Sequence, residues 1–146
     1  MRFGKLDAAP FPIDASDENI ALAKDFLLQK WIERHEELKI DRPAPTDLSD
    51  SCKFSALFSS AVFGGDIAGN YDHVFTLIDD EVFDLNEDAA DVAQLANPHR
   101  EDEAFIYGGD FEYSIRTCIP RVKNWVSDFA ILLESKPTAI KRFGSV

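Results

Sequence analysis

The sequence predicts one α+β domain over residues 1–146, in which an antiparallel sheet of two hairpins packs against an N-terminal helix, a central helix and a C-terminal helix. Long segments near both ends of the chain repeat apolar residues at helical spacing. Between them, short apolar runs rich in Val, Ile and Phe flank turn residues, as the strands of hairpins do. With 146 residues, 45% of them apolar, the chain can bury the core of a single domain without disulfides or metals.

The N-terminal helix is expected over residues 16–38, where Ile, Leu and Trp residues form one stripe at helical spacing. Asp14 or Ser16 can cap its first turn. Residues 41–45, which contain two prolines, exclude a continuing helix and form an extended connector.

The central helix is expected over residues 51–63, with Ser49 or Asp50 as its cap and Gly64 at its end. A helical wheel separates Cys52 from the bulky apolar face of this helix. The residues on the side of the cysteine are mostly small: Ser55, Ala56, Ser59 and Phe63. We therefore expect another element to pack closely against this side and to meet the thiol.

A first hairpin is expected after a loop over residues 66–71. Residues 73–78 and 82–85 are its two strands, and Asp79-Asp80 is a two-residue turn. Residues 86–96 are then expected to form a short helix, since an asparagine stands at its cap position and a proline follows its end.

A second hairpin is expected from two further apolar runs, residues 104–107 and 111–117, on either side of the Gly-Gly-Asp turn at 108–110. The C-terminal helix is expected over residues 120–134, where a proline suits the first turn and the apolar face has a strong helical period. The tail beyond residue 136 is expected to be loose.

Charge and hydropathy limit the classes of partner. The net charge of −12 argues against a nucleic-acid ligand, because phosphates would be repelled. No apolar run approaches the ~20 residues that a membrane-spanning helix needs, and the first residues lack the apolar core of an export signal. The sequence therefore predicts a cytoplasmic protein without membrane or nucleic-acid contacts, whose Cys52 and Cys118 are free thiols.

Acidic residues concentrate in one segment, residues 66–103, which holds twelve acids and a single base, Arg100. Such a run is usually a solvated surface that keeps the protein dispersed. The alternative is a surface that docks a basic protein partner.

Cys52 is the residue that points most directly to chemistry. At the start of a helix, free N–H groups, the helix dipole and the adjacent Lys53 all favour a thiolate, which is the nucleophilic form. The alternative role is a small buried apolar residue, which is how we interpret Cys118.

His73 is the candidate base, and the turn determines its partner. With a two-residue turn, Asp84 lies diagonal to His73 on one face of the hairpin and Asn86 lies directly opposite. Either side chain could orient the imidazole toward the sulfur. A three-residue turn would instead put Asp84 on the other face.

A cysteine at a helix start (Ser51-Cys52-Lys53-Phe54), then a histidine on a strand (Asp72-His73-Val74-Phe75), then an acid on the next strand (Val82-Phe83-Asp84-Leu85) resembles the papain-like cysteine hydrolases, especially their transglutaminase-like and NlpC/P60-like branches. The resemblance covers residues 47–86. It implies that Cys52 is the nucleophile, His73 the base and Asp84 the orienting residue of an enzyme acting on amide bonds.

Two functions are therefore expected. The first is a small hydrolase or transferase of peptide or other amide substrates, with Cys52, His73, and Asp84 or Asn86 as its catalytic residues. The second is a non-catalytic inhibitor or immunity-type protein that docks a basic surface through residues 66–103. The chain has no nucleotide-binding motif, and its histidines have no metal-ligand spacing, so neither a cofactor nor a metal is predicted.

Overall fold

A computed structural model describes residues 10–136 of the chain. The tail that was expected to be loose lies outside the described residues. Within them there are six helices: α1 (Asp17–Leu38), α2 (Cys52–Phe63), α3 (Ala90–Ala93), α4 (Glu103–Ile106), α5 (Gly109–Arg116) and α6 (Ile119–Glu134). The strands of this part of the chain are β1 (Asp66–Gly69), β2 (Val74–Ile78) and β3 (Glu81–Phe83). The α+β class and the long helices at both ends confirm the predicted architecture.

The three strands form one antiparallel sheet in the order β1-β2-β3. The first hairpin has the predicted register, since Ile78 pairs with Glu81 across the turn. Asp79 and Asp80 both take left-handed backbone angles, with φ of 52° and 64°, as a two-residue turn matched to the sheet twist requires. Strand β1 was wrongly expected to be a loop.

The second predicted hairpin is wrong, because residues 103–116 form the helices α4 and α5. Asp102 caps α4 by accepting a hydrogen bond from the N–H of Phe105 at 3.1 Å. In α5 the buried residues Phe111 and Ile115 are four apart, which is a helical period. The helix expected over residues 86–96 is also shorter, with a single turn from Ala90 to Ala93.

The N-terminal helix α1 and the central helix α2 begin differently from each other. At α1 the hydroxyl of Ser16 accepts a hydrogen bond from the N–H of Asn19, so one of the two predicted caps is present. At α2 neither Ser49 nor Asp50 caps the helix. The N-cap position belongs to Ser51, whose side chain makes no capping hydrogen bond.

The core lies between α1, α2 and α6 on one side and the sheet on the other. Phe26, Phe58 and Phe129, one from each helix, form an aromatic cluster with ring centroids 4.9–5.7 Å apart. The small-residue face of α2 packs on β2, where the hydroxyls of Ser59 and Thr76 lie 3.2 Å apart. This contact packs the middle of α2 directly against β2.

None of the helices among residues 10–136 has the length and hydropathy to cross a bilayer.

Gly65 joins α2 to the sheet at a position that a larger residue cannot occupy. Its φ is +98°, and an added Cβ would lie 2.5 Å from the carbonyl oxygen of Leu77. Gly65→Ala should therefore lower the free energy of unfolding by about 2 kcal/mol or more, measured by urea denaturation. Gly109→Ala is the matched control, since its added Cβ meets no atom within 4 Å. Equal stability of the two variants would contradict the account of this junction.

Candidate active site

Cys52 is the first residue of α2 and is partly exposed. Ser51, just before it, donates its hydroxyl to the carbonyl of Leu48 at 2.6 Å instead of capping the helix. Within residues 10–136, the N–H groups of Cys52, Lys53 and Phe54 donate no hydrogen bond. The thiol therefore stands beside unpaired N–H groups at the positive end of the helix dipole.

His73 lies immediately before β2, with only 2% of its side chain exposed. Its backbone N–H donates to the side-chain oxygen of Asn70 at 3.1 Å. Its ring stacks against that of Phe75 two residues along, at a centroid distance of 6.0 Å. The imidazole is therefore held on the face of the hairpin that the alternation of strand residues predicts.

Asp84 follows β3 and accepts a hydrogen bond at 2.7 Å from His73, between Oδ2 and Nε2. Only 3% of its side chain is exposed. Its other oxygen, Oδ1, accepts from the backbone N–H of Asn86 at 2.9 Å. Because an ionised carboxylate only accepts hydrogen bonds, Nε2 of His73 carries a proton, which leaves Nδ1 available to the sulfur.

Neighbouring charged groups and hydrogen bonds shift the pKa values of His73 and Asp84. Burial of the ring lowers the pKa of His73, but hydrogen bonds and negative charge from Asp84 and Cys52 outweigh burial and raise that pKa from its usual 6.5 to about 9. Burial raises the pKa of Asp84, but its hydrogen bonds to His73 and His99 more than offset this and hold that pKa below its usual value. At neutral pH the favoured state of His73 is therefore an imidazolium that donates to the Asp84 carboxylate.

Asn86, the other predicted orienting residue, makes its side-chain hydrogen bonds elsewhere. Its Nδ2 donates to the carbonyl of Leu48 and to the hydroxyl of Ser51, both at 3.1 Å. Asp84 is thus the group that the structure brings to the imidazole. Asn86 instead anchors the segment that leads into Cys52.

His99 belongs to the same cluster, and the sequence reasoning missed it. Its Nε2 lies 2.8 Å from Oδ2 of Asp84, the same oxygen that bonds to His73. The two histidines are far apart in sequence and lie on different elements, so no spacing rule signals their contact. The only hint in the sequence is the proline before His99, which marks a loop.

A divalent metal such as zinc has three possible ligands here, His73, Asp84 and His99, whose ligand atoms lie within 4.8 Å of one another. The two N–O separations, 2.7 and 2.8 Å, are hydrogen-bond lengths. Two ligands of a tetrahedral zinc would stand about 3.4 Å apart. The separations of these atoms thus fit hydrogen bonds better than they fit coordination of a metal ion.

Asn70 ties the two histidine segments together. Its Oδ1 accepts from the N–H groups of Asp72 and His73, at 2.8 and 3.1 Å. Its Nδ2 donates to the carbonyls of Pro98 and Arg100, at 3.2 and 2.7 Å, on both sides of His99. This side chain is 1% exposed, and all four of its hydrogen bonds are made inside the protein.

Cys118 has a different setting from Cys52. It is 5% exposed, at the N-cap position of α6. Burial raises the pKa of this thiol, which favours the neutral form. It is therefore a suitable internal reference for the reactivity of Cys52.

The acidic segment is not one uniform charged surface. Asp84 belongs to the site, Asp91 accepts the N–H of Asp50 at 2.9 Å, and Asp102 caps α4. The turn acids Asp79 and Asp80 are exposed. Docking of a basic partner on this segment stays a prediction.

Comparisons of the chain with protein-family models, with curated proteins and with solved structures give no match.

Replacing Asn70 by Ala should destabilise the protein, because it removes a buried side chain whose four hydrogen bonds hold two carbonyls and two N–H groups. We expect a loss of about 2–4 kcal/mol in the free energy of unfolding, measured by urea denaturation. Asn97→Ala, at an exposed position nearby, is the matched control and should change it by less than about 0.5 kcal/mol. A loss confined to Asn97→Ala, or absent from both variants, would refute the bridging role.

The raised pKa of His73 predicts a pH dependence of stability. Since the folded state binds this proton more tightly, the stabilisation is complete below pH 6.5 and is lost as the pH rises through about 9. The difference in unfolding free energy between the wild type and His73→Gln should therefore shrink over this range, while His35→Gln should follow the wild type. A difference that stays constant with pH would contradict the assignment.

Proposed function

We propose that the protein is a cysteine hydrolase or acyltransferase that acts on amide bonds. In this proposal Cys52 is the nucleophile, His73 the general base and acid, and Asp84 the residue that orients the imidazole. The observation that carries the proposal is the 2.7 Å hydrogen bond between Nε2 of His73 and a carboxylate that is 3% exposed. A ring held in this way at one nitrogen keeps its other nitrogen for a thiol, which is the arrangement of a nucleophile, base and orienting group.

Attack on the substrate begins at the sulfur. The Cys52 thiolate forms a C–S bond with the carbonyl carbon of the amide, and the π electrons of the carbonyl move to its oxygen. The unpaired N–H groups at the start of α2 are donors of the type that stabilises such an oxyanion. The missing helix cap supports this role, because a capping side chain would occupy those donors.

Release of the amine needs a proton on its nitrogen. The imidazolium of His73 supplies this proton from Nδ1 as the C–N bond breaks, which leaves a thioester on Cys52 and a neutral imidazole. Water then attacks the thioester, His73 takes its proton, and the C–S bond breaks to release an acid. If an amine attacks instead of water, the same steps transfer the acyl group.

The resemblance to papain-like hydrolases supports the same assignment. It lies in the order of a cysteine at a helix start, a histidine on a strand and an acid on the next strand. A buried interface between a small-residue helix face and a strand brings these elements together, through Ser59 and Thr76.

An activated ester tests the nucleophile without knowledge of the substrate. With p-nitrophenyl acetate, Cys52 should become acetylated with a burst of nitrophenolate, and His73→Ala should abolish the burst. Asp84→Asn should slow acetylation by between about 10²- and 10⁴-fold, since the amide favours the wrong imidazole tautomer. Mass spectrometry of the peptides measures the site, and stopped-flow absorbance measures the rate.

Cys118 and Cys52→Ala are the internal and matched controls of this experiment. Cys118 is buried and should stay unmodified, and Cys52→Ala should show no burst. Acetyl groups spread over lysines, with no burst and no dependence on His73, would refute the proposed enzyme.

A further inference from the structure

One oxygen of Asp84 receives two imidazole groups. Oδ2 lies 2.7 Å from Nε2 of His73 and 2.8 Å from Nε2 of His99. Since the carboxylate offers only acceptors, Nε2 of each ring must be a protonated nitrogen that donates to Oδ2. His73 is thus one of two donors that set the direction of this carboxylate.

His99 is also the outermost member of the cluster. Its side chain is 28% exposed, whereas those of His73 and Asp84 are 2% and 3% exposed. Its ring packs edge-on against Phe75 at a centroid distance of 5.0 Å. His99 is therefore the member of this cluster that solvent reaches, and Phe75 supports its ring.

Hydrogen bonds from a buried side chain hold the segment that carries His99. Asn70 donates to the carbonyls of the residues before and after His99, and accepts from the N–H of His73. The N–H of Asp102 donates to the carbonyl of Gly69 at 2.9 Å and extends this link. The buried side-chain amide of Asn70 thus positions the segments of both imidazoles. This support distinguishes His99 from a surface histidine in chance contact with an acid.

We infer that His99 is a positioning residue, which holds Asp84 in line with His73 and shields their hydrogen bond from water, and that Asn70 sets the spacing of the two rings. The inference rests on the proposed function for its catalytic meaning. Its structural content, the hold on the Asp84–His73 pair, can be measured separately. Without His99, water reaches Asp84 and competes for Oδ2.

The test compares His99→Ala with the conservative variant His99→Gln, whose amide N–H can replace the donor, and with His35→Gln as a control on α1. Two readouts are taken: the NMR signal of the His73 Nε2–H proton, and the rate of iodoacetamide labelling of Cys52 at neutral pH. The chain has three histidines, so the same variants assign the ring signals.

In His99→Ala the Nε2–H signal of His73 should be lost to exchange with water, and labelling of Cys52 should slow about tenfold, the effect of losing one hydrogen bond to a charged group. His99→Gln should retain most of the His73 signal and most of the labelling rate, and His35→Gln should match the wild type. A protected His73 signal in His99→Ala would overturn the inference, even with slow labelling. If wild-type Cys52 reacts no faster than an ordinary thiol, the proposed enzyme fails, and the His73 signal alone decides the role of His99.

Discussion

The hydrogen bond between His73 and Asp84 is the interaction on which the rest of the site depends. It joins two side chains that are nearly fully buried, where a charged group without a partner would be costly. Its geometry follows from the turn at Asp79 and Asp80, whose left-handed backbone sets the register of the hairpin. A shift of one residue in that register would move Asp84 to the opposite face of the sheet.

Around this bond the fold departs from what stability alone would favour. Helix α2 begins without a side-chain cap, although Ser51 stands at the cap position. Capping typically contributes about 1 kcal/mol. Here the hydroxyl of Ser51 instead donates to the carbonyl of Leu48, in the loop that leads into Cys52. The same hydroxyl accepts a hydrogen bond from Nδ2 of Asn86. The cost falls at the helix end whose free N–H groups would bind the oxyanion in the proposed mechanism.

Part of this site could be predicted from the sequence. The two acids of the turn define the hairpin register, and the register alone makes Asp84 a neighbour of His73. The small residues beside Cys52 predict close approach of a strand. These inferences depend on local periodicity, which a single sequence carries well.

The remaining features depend on contacts between distant segments. His99 meets Asp84 from a loop that Asn70 holds by two hydrogen bonds, and neither residue belongs to a recognisable motif. The segment from Glu103 to Arg116 was wrongly interpreted as a hairpin, because short apolar runs around glycines fit strands as well as single helical turns. Capping by Asp102 and the four-residue spacing of Phe111 and Ile115 were the signals for helices.

The central claim is that Cys52, His73 and Asp84 form one coupled charge system, and an NMR titration of the His73 ring tests it most directly. The account predicts that the ring keeps its proton through neutral pH and loses it near pH 9, and that this pKa is lower in Cys52→Ser, where a neutral hydroxyl replaces the sulfur while Asp84 remains. A wild-type ring that titrates near 6.5, unchanged in Cys52→Ser, would contradict it.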